Sequence, residues 1–202
     1  MKKSVILVLL PLCFGLLFAA CEEKQPTPDK PDEEQNWKDV TLDATAYEDW
    51  VYFSFEQDAE VQVSDYLNSM DWDIAFHRYD VRLNCGTAGP GQGGSQSLGV
   101  VSFDSVTEAP ESGYSLNDSI GVVLESGVWE FTNVPGDTVL ASWMEFQGPP
   151  PTYTLSNEIY AIKTANGKYA KIWLKDYYND MSVSGYVTMR YFYQDDGTRN
   201  FE

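Results

Sequence analysis

Alternating apolar and polar positions recur along this chain, and they predict β-strands rather than helices. The clearest case is residues 72–77, where the large apolar side chains of Trp72, Ile74 and Phe76 alternate with smaller or polar ones. This two-residue period is that of a strand with one buried face. Glycines crowd residues 86–94 directly afterwards. They indicate a shaped surface loop, because glycine permits close backbone approach and positive φ.

Further strands are predicted where β-branched and aromatic residues cluster between turn signals. They cover 38–42, 50–55, 61–63, 98–103, 122–125, 128–132, 139–146, 158–165, 168–175 and 182–193. Turns or loops are expected at 104–118, 126–127, 134–137, 148–152 and 166–167, the last being Asn-Gly, the strongest short hairpin signal. Helical spacing never persists, so at most a turn at 63–69 is helical. We expect an all-β fold of two packed, mainly antiparallel sheets with little or no helix.

The N-terminus has the pattern of an export signal. Lys2-Lys3 precedes an apolar run, and the small pair Ala19-Ala20 follows it, which predicts a signal peptide over residues 1–20. At about 14 residues the apolar run is short for a membrane-spanning helix. Cys21 comes next, in a context that resembles a bacterial lipobox, and we predict that it is lipidated. A plain secretory signal and an uncleaved anchor are the alternatives.

Composition divides the rest of the chain in two. Residues 21–36 are rich in Pro, Glu, Asp and Gln and lack large apolar side chains until position 37. Such a segment buries too little surface to offset its ordering entropy, so we predict a flexible acidic tether followed by one β domain over 37–202.

Charge and cysteine content narrow the choice of partners. The formal net charge is −18, which disfavours binding to nucleic acid and to anionic membrane surfaces. The expected membrane contact is therefore the lipid anchor alone. Cys85 has no partner once Cys13 leaves with the signal and Cys21 takes lipid, so no disulfide framework forms. We expect Cys85 to be a buried, inert thiol.

The residue inventory favours binding over catalysis. His77 is the only histidine, no Gly-x-Ser-x-Gly motif is present, and one histidine with one domain cysteine cannot build a zinc cage. Asp71 and Asp73 share a strand face, but a carboxylate pair at that spacing is more often solvated charge. Six Trp, 13 Tyr and ten Phe exceed what a core of this size needs. Some of them should line a binding surface, and we expect no enzyme activity.

Several segments together resemble one family, the HmuY-like haem-binding lipoproteins. The resemblance covers roughly residues 50 to 180 and rests on Tyr52-Phe53-Ser54-Phe55, on Trp72-Asp73-Ile74-Ala75-Phe76-His77-Arg78 with Asn84 and the following glycines, and on Asn166-Gly167-Lys168-Tyr169-Ala170-Lys171-Ile172. It implies an all-β surface lipoprotein of the outer membrane. Such a protein binds haem b or a related porphyrin and passes it to a TonB-dependent outer-membrane receptor.

The resemblance also implies axial ligands from loops in the second half of the domain. Met144, which precedes the Pro-rich loop, is the candidate iron ligand, and Tyr153 is an alternative. Trp129, Trp143 and Tyr153 are the candidate apolar walls. Met144 as core filling and Tyr153 as packing on the prolines are the competing interpretations.

This sequence departs from the family at the first ligand, because no Met or His lies between residues 115 and 131. His77 belongs to the strand motif, and we predict that it is structural and held by local hydrogen bonds. The missing ligand keeps two other functions open: a glycan- or peptide-binding lipoprotein on the same scaffold, and a structural accessory subunit of a transport assembly.

Overall fold

A computed structural model describes residues 36–128, 130–147 and 152–202 of the chain. Within these ranges the strands are β1 Lys38–Asp43, β2 Val51–Ser54, β3 Ala59–Val61, β4 Ile74–His77, β5 Asp80–Leu83, β6 Gly94–Ser97, β7 Asp118–Val122, β8 Thr132–Gly136, β9 Met144–Phe146, β10 Tyr153–Leu155, β11 Ile159–Lys163, β12 Tyr169–Tyr178 and β13 Ser184–Gln194. Three short 3-10 helices span Gly86–Ala88, Phe103–Ser105 and Leu140–Trp143. The described ranges contain no α-helix. The signal peptide, residues 21–35 of the tether with Cys21, and Trp129 fall outside them.

Two main sheets form the domain. One has five strands in the order β1-β13-β12-β11-β6, and the other has four in the order β3-β2-β4-β5. Two separate hairpins, β7–β8 and β9–β10, complete the fold. Neighbouring strands pair antiparallel throughout. The prediction of an all-β protein with mainly antiparallel sheets is confirmed.

The main core lies between the inner faces of the two sheets. The five-stranded sheet contributes alternate residues of β13, Val187, Met189 and Tyr191, each at most 2 % exposed. The four-stranded sheet contributes fully buried Phe53 and Phe76 among others. Burial of each such side chain stabilises the fold by about 1.5 to 3 kcal/mol. The period-two pattern of the final strand thus places one of its faces in the core, as predicted.

The alternating segment 72–77 differs from its prediction, because both of its faces are buried. Ile74 and Phe76 enter the main core, whereas Trp72 and Ala75 pack in a second cluster on the outer face of the four-stranded sheet. Loop residues cover that outer face, so the polar positions of the strand are shielded as well. The prediction of one exposed face was therefore wrong.

Several element boundaries also differ from the predicted ones. The chain turns at Arg78, which has φ +52, and an additional strand that was not predicted, β5, pairs with β4 in a hairpin. Strand β6 lies earlier than the predicted strand 98–103, and Gly99 with φ +78 interrupts that stretch. The predicted strand 139–146 begins as a 3-10 helix. The predicted turn at 134–137 is mostly part of β8, whose hairpin with β7 has a longer connection than the predicted two residues.

The glycine-rich stretch is built around one buried amide. The Asn84 side chain is fully buried, and its Nδ2 donates to the carbonyls of Ser69 and Trp72 at 2.9 Å each. Its Oδ1 accepts the Gly91 N–H at 3.0 Å. A Cβ at Gly91 would lie 2.5 Å from the Asn84 carbonyl oxygen. The glycines thus let the loop wrap closely around Asn84, which is a structural role.

Candidate functional site

Three tyrosines from separate elements form a cleft that we call the tyrosine cleft. Tyr79 lies in the β4–β5 turn, Tyr153 in β10 and Tyr177 in β12. Their ring centroids are 6.0 Å (Tyr79 to Tyr153), 6.1 Å (Tyr79 to Tyr177) and 5.5 Å (Tyr153 to Tyr177) apart. Residues 123–128 of the β7–β8 connection close the other side, and the enclosed volume is about 110 Å³. Two hairpins and the sheet end therefore meet at one aromatic surface.

Local backbone irregularities aim these side chains. The positive φ of Arg78 makes the tight turn that brings Arg78 and Tyr79 to the end of the four-stranded sheet. In β12 the pairing with β13 shifts register on both sides of Asp176, immediately before Tyr177. Such a bulge redirects the side chains next to it. The cleft thus depends on two departures from regular strand geometry.

A guanidinium group lies at the base of the tyrosine cleft. Arg78 donates to the carbonyls of Thr45 at 3.0 Å and Ser184 at 3.1 Å, and to the Ser184 hydroxyl at 2.9 Å. Its Cζ lies 4.7 Å from the ring centroid of Tyr47 and 5.6 Å from that of Tyr177. These contacts hold a fixed positive charge among aromatic rings. The cleft can therefore receive a flat apolar body that carries an acidic group.

Burial determines the protonation state of the tyrosines that line the cleft. It raises the pKa of Tyr79 to about 12 and raises the pKa values of Tyr153 and Tyr177 as well. Burial likewise raises the pKa of the Asp80 carboxyl, which lies beside the cleft. The three tyrosines are therefore neutral phenols near pH 7 and contribute no negative charge.

The residues predicted from sequence occupy different places. Tyr153 lines the tyrosine cleft. Trp143 is 1 % exposed, donates its indole N–H to the Tyr79 carbonyl at 2.8 Å and packs edge-on against Tyr177, so it supports the cleft from behind. Met144 is 7 % exposed and packs in the main core. Trp129 lies outside the described residues.

His77 is structural, as predicted. It is fully buried, with Nδ1 3.1 Å from an Asp80 carboxylate oxygen and Nε2 2.8 Å from the Tyr47 carbonyl oxygen. Its ring also packs against Trp50 at 5.3 Å. Cys85, 1 % exposed, is the buried thiol that we expected.

The described ranges offer neither a preformed metal cluster nor a membrane helix. No group of three or more His, Cys, Asp or Glu side chains is close enough there to hold a metal ion. No helix in those ranges is long and apolar enough to cross a membrane.

Sequence reasoning missed Arg78, Tyr79 and Tyr177. Arg78 and Tyr79 follow the predicted strand 72–77 and were given no role, although the apolar positions change phase after His77, which was a signal for a turn. Tyr177 lies beyond the end of the predicted strand 168–175, and nothing in its local sequence separates a core tyrosine from a cleft tyrosine. Its role appears only once β12 is placed beside the turn.

Comparison with known proteins identifies the family. A family model described as HmuY protein matches residues 46–191. A solved structure of a candidate HmuY-like haem-binding protein from Bacteroides vulgatus is 28 % identical, with a TM-score of 0.63, and the match covers 78 % of this chain and 91 % of that one. No curated protein matches.

Two further solved structures share the fold. The apo HmuY analogue of Tannerella forsythia is 24 % identical with a TM-score of 0.62, over 78 % of this chain and 95 % of that one. Apo PinO from Porphyromonas gingivitis is 18 % identical with a TM-score of 0.65, over 78 % of this chain and 96 % of that one. Since the family model spans most of the described domain, this chain belongs to the HmuY family.

Proposed function

We propose that this chain is a lipid-anchored surface protein of the outer membrane that binds haem b, or a related porphyrin, and passes it to a TonB-dependent receptor. The observation that carries the proposal is the tyrosine cleft with Arg78 at its base, in a member of the HmuY family. The anchor would be Cys21. No bond-making chemistry is required of the protein, because capture and release suffice.

The tyrosine cleft suits a porphyrin in chemistry more than in size. Tyr79, Tyr153 and Tyr177 offer aromatic faces to a flat macrocycle, and Arg78 offers a cation to a propionate. Pockets for ligands of drug size or larger enclose about 300 to 1,000 Å³. The 110 Å³ cleft must therefore widen, and residues 123–128 are the side that can move, since they lie between the ladder-paired parts of β7 and β8. Trp143 would support the cleft from behind, and Trp129 stays a predicted wall residue outside the described ranges.

Tyr153 and Met144 are the two candidate axial ligands of the haem iron. Tyrosine and methionine both serve as haem ligands. Tyr153 already lines the tyrosine cleft, but burial raises the pKa of its phenol, so iron would have to displace a proton to bind it. Met144 supplies a soft thioether that suits reduced iron, but its side chain would have to leave the core.

Haem titration under reducing and oxidising conditions tests the proposal. We expect a saturable Soret shift in at least one state. Met144→Leu should alter the reduced spectrum if Met144 is the ligand, and Tyr153→Phe should alter the oxidised one if Tyr153 is. Met189→Leu, in the same core, and Tyr114→Phe, away from the cleft, are matched controls. The absence of a Soret shift in both states would contradict haem binding.

Location and hand-over need separate tests. Cys21→Ala should release the protein from the outer membrane, whereas an unchanged membrane fraction would contradict lipid anchoring.

Co-purification of the haem-loaded protein with an outer-membrane receptor is the expected result for hand-over. Tryptophan fluorescence that responds to oligosaccharides but not to haem would instead favour a glycan-binding protein.

A further inference from the structure

A second cleft lies on the outer face of the four-stranded sheet. Tyr52, Ala75 and Arg82 form one row across three neighbouring strands, since Tyr52 pairs with Ala75 and Ala75 with Arg82. The small Ala75 side chain leaves room for Arg82 to lie across the sheet, where its Nη2 donates to the Tyr52 hydroxyl. Arg82 is 3 % exposed. An arginine is thus buried on a face that the main core does not reach.

Aromatic rings surround this guanidinium. Its Cζ lies 4.0 Å from the ring centroids of both Trp50 and Tyr66, and 5.8 Å from that of Trp72. The cleft that Arg82 lines encloses about 820 Å³, within the range of small-molecule sites, and we call it the Arg82 cleft. Residues 133–135 of β8 form its far wall.

Arg82 lacks a counter-charge among the described residues. None of the ion pairs formed there involves it, and its Nε has no hydrogen-bond partner. The neighbouring Trp72 indole N–H is buried and unpaired in the same cluster. A buried charge and buried donors are costly unless an acceptor satisfies them. The Arg82 cleft is therefore lined by a positive charge with an N–H donor that lacks an acceptor, which complements an oxyanion.

Arg190 is a second arginine that stacks on aromatic rings, and it differs from Arg82 in its partners. Arg190 also stacks on a tryptophan, with Cζ 3.2 Å from the Trp37 centroid, but both of its donating nitrogens bind the Asp39 carboxylate at 2.8 and 2.9 Å. Arg190 is thus a stacked arginine with its anion in place. Arg82 has the aromatic contacts of this arrangement but pairs with no carboxylate among the described residues.

The rim of the cleft limits what the ligand can be. Glu48, Asp49 and Glu60 line it and are exposed. Their like charges repel phosphates and other polyanions at the mouth, although salt screens exposed charges. A single carboxylate that points inward, on an otherwise uncharged body, avoids most of this repulsion.

We propose that the Arg82 cleft binds a small monocarboxylate whose ring packs against Trp50 or Tyr66 while its carboxylate accepts hydrogen bonds from Arg82. An aromatic acid and a sugar acid share this chemistry. The site is separate from the tyrosine cleft, so it does not depend on haem binding.

An NMR titration with benzoate and with glucuronate tests the proposal, with benzyl alcohol and methyl glucoside as the uncharged counterparts. We expect at least one acid to shift the Trp50 indole N–H signal saturably at millimolar concentration, because Trp50 lines the cleft beside Arg82, and neither uncharged compound to do so. The acid that binds identifies the ligand as aromatic or sugar-derived. The absence of a saturable shift with both acids would overturn the proposal.

Variants connect the signal to Arg82. Arg82→Met should weaken binding on the order of tenfold or more, because a charge-assisted hydrogen bond is lost. Arg190→Met, which removes a stacked arginine elsewhere, should leave binding unchanged. If Arg82→Met does not fold, Tyr66→Leu replaces it and should weaken binding through the lost stacking. Wild-type affinity in a folded Arg82→Met protein, or in Tyr66→Leu where that variant replaces it, would overturn the assignment.

Discussion

Single buried carboxylates join elements that are distant in sequence, and Asp73 does so most directly. Its Oδ2 accepts the Phe55 N–H at 2.8 Å and its Oδ1 accepts the Ala165 N–H at 2.9 Å, so it ties β2 to the β11–β12 hairpin. It is 6 % exposed, and burial raises its pKa. The pattern that predicted a solvated Asp73 could not show that both strand faces would be covered.

Asp73→Asn should destabilise the protein by about 1 to 3 kcal/mol, because an amide has one acceptor oxygen and would present its NH₂ to the second backbone N–H. Urea unfolding measures the change. Asp71→Asn is the matched control, since Asp71 is exposed and its side chain bonds only Ser69. Equal unfolding midpoints for the two variants would show that the Asp73 bridge contributes nothing.

His77 should stabilise the fold without serving as a haem ligand. His77→Leu removes both ring nitrogens and leaves the buried Asp80 carboxyl and the Tyr47 carbonyl without their partner. We expect a lower unfolding midpoint but an unchanged Soret spectrum in the haem-loaded protein. A lost or shifted Soret band in a folded variant would instead make His77 a ligand and contradict the structural role.

Edge strand β1 is held to the sheet by charge as well as by its ladder. Asp39 accepts hydrogen bonds from Arg190, which lower its pKa to about 2, and Lys175 adds to the effect. The folded pKa lies below the usual 3.8, so this contribution is present above about pH 4 and is lost as the pH falls toward 2. Because Asp39 is partly exposed, solvent screens the interaction and the effect is small.

Asp39→Asn should therefore lower the melting temperature at pH 7 by more than it does at pH 2. Thermal unfolding at both pH values measures this difference. Asp195→Asn, at an exposed carboxylate without an ion pair among the described residues, is the control. A deficit of equal size at both pH values would mean that β1 docks without the help of this charge.

The glycine-rich loop around Asn84 leaves no space for a side chain at Gly91. A Cβ at Gly91 would meet backbone atoms, the Asn84 carbonyl oxygen at 2.5 Å and the Ala165 Cα at 2.9 Å. Backbone cannot move aside cheaply, so Gly91→Ala should cost roughly 2 kcal/mol or more. In Gly121→Ala the atoms nearest to the new Cβ belong to the exposed Phe131 side chain, at 3.3 Å, which can move aside, so little change is expected. Similar unfolding free energies for the two variants would contradict the wrapped-loop interpretation.

Long elements with a local signal were predictable from sequence, and short ones were not. The β11–β12 hairpin was found because Asn166-Gly167 marks its turn, and Gly167 does adopt φ +82. β5 was missed although its sequence Asp-Val-Arg-Leu alternates polar and apolar residues, because no Gly, Pro or Asn marks the turn between it and β4. β6 was missed because its glycine reads as loop. The burial of both faces of β5 depends on covering layers from elsewhere in the chain, which no local pattern records.

The same reason separates the predicted from the unpredicted part of the site. Tyr153 was found because it follows the Pro-rich loop. Arg78, Tyr79 and Tyr177 come together only because the β4–β5 turn meets a bulge of β12, which is a contact between distant parts of the chain. That no carboxylate among the described residues pairs with Arg82 likewise depends on how distant parts of the chain meet.

On the scale of the whole molecule, one hairpin borders both clefts. Residues 123–128 of the β7–β8 connection close the tyrosine cleft, and residues 133–135 of β8 form the far wall of the Arg82 cleft. β5 also borders both clefts, through Asp80 and Arg82, but the tyrosine cleft otherwise draws on β10 and β12 and the Arg82 cleft on β2 and β3. Ligands at the two sites should therefore protect different parts of the backbone.

Hydrogen exchange can distinguish the two sites in one protein. Haem should slow exchange at residues 123–128 and around Tyr153, because the connection must reclose over the ligand and local openings become rarer. A carboxylate that binds at Arg82 should slow exchange at residues 50–52 and 61–66 and leave Tyr153 unchanged. Haem protection at 61–66 without protection at 123–128 would contradict the tyrosine cleft as the haem site, because the 110 Å³ between its walls cannot admit a porphyrin unless that connection moves.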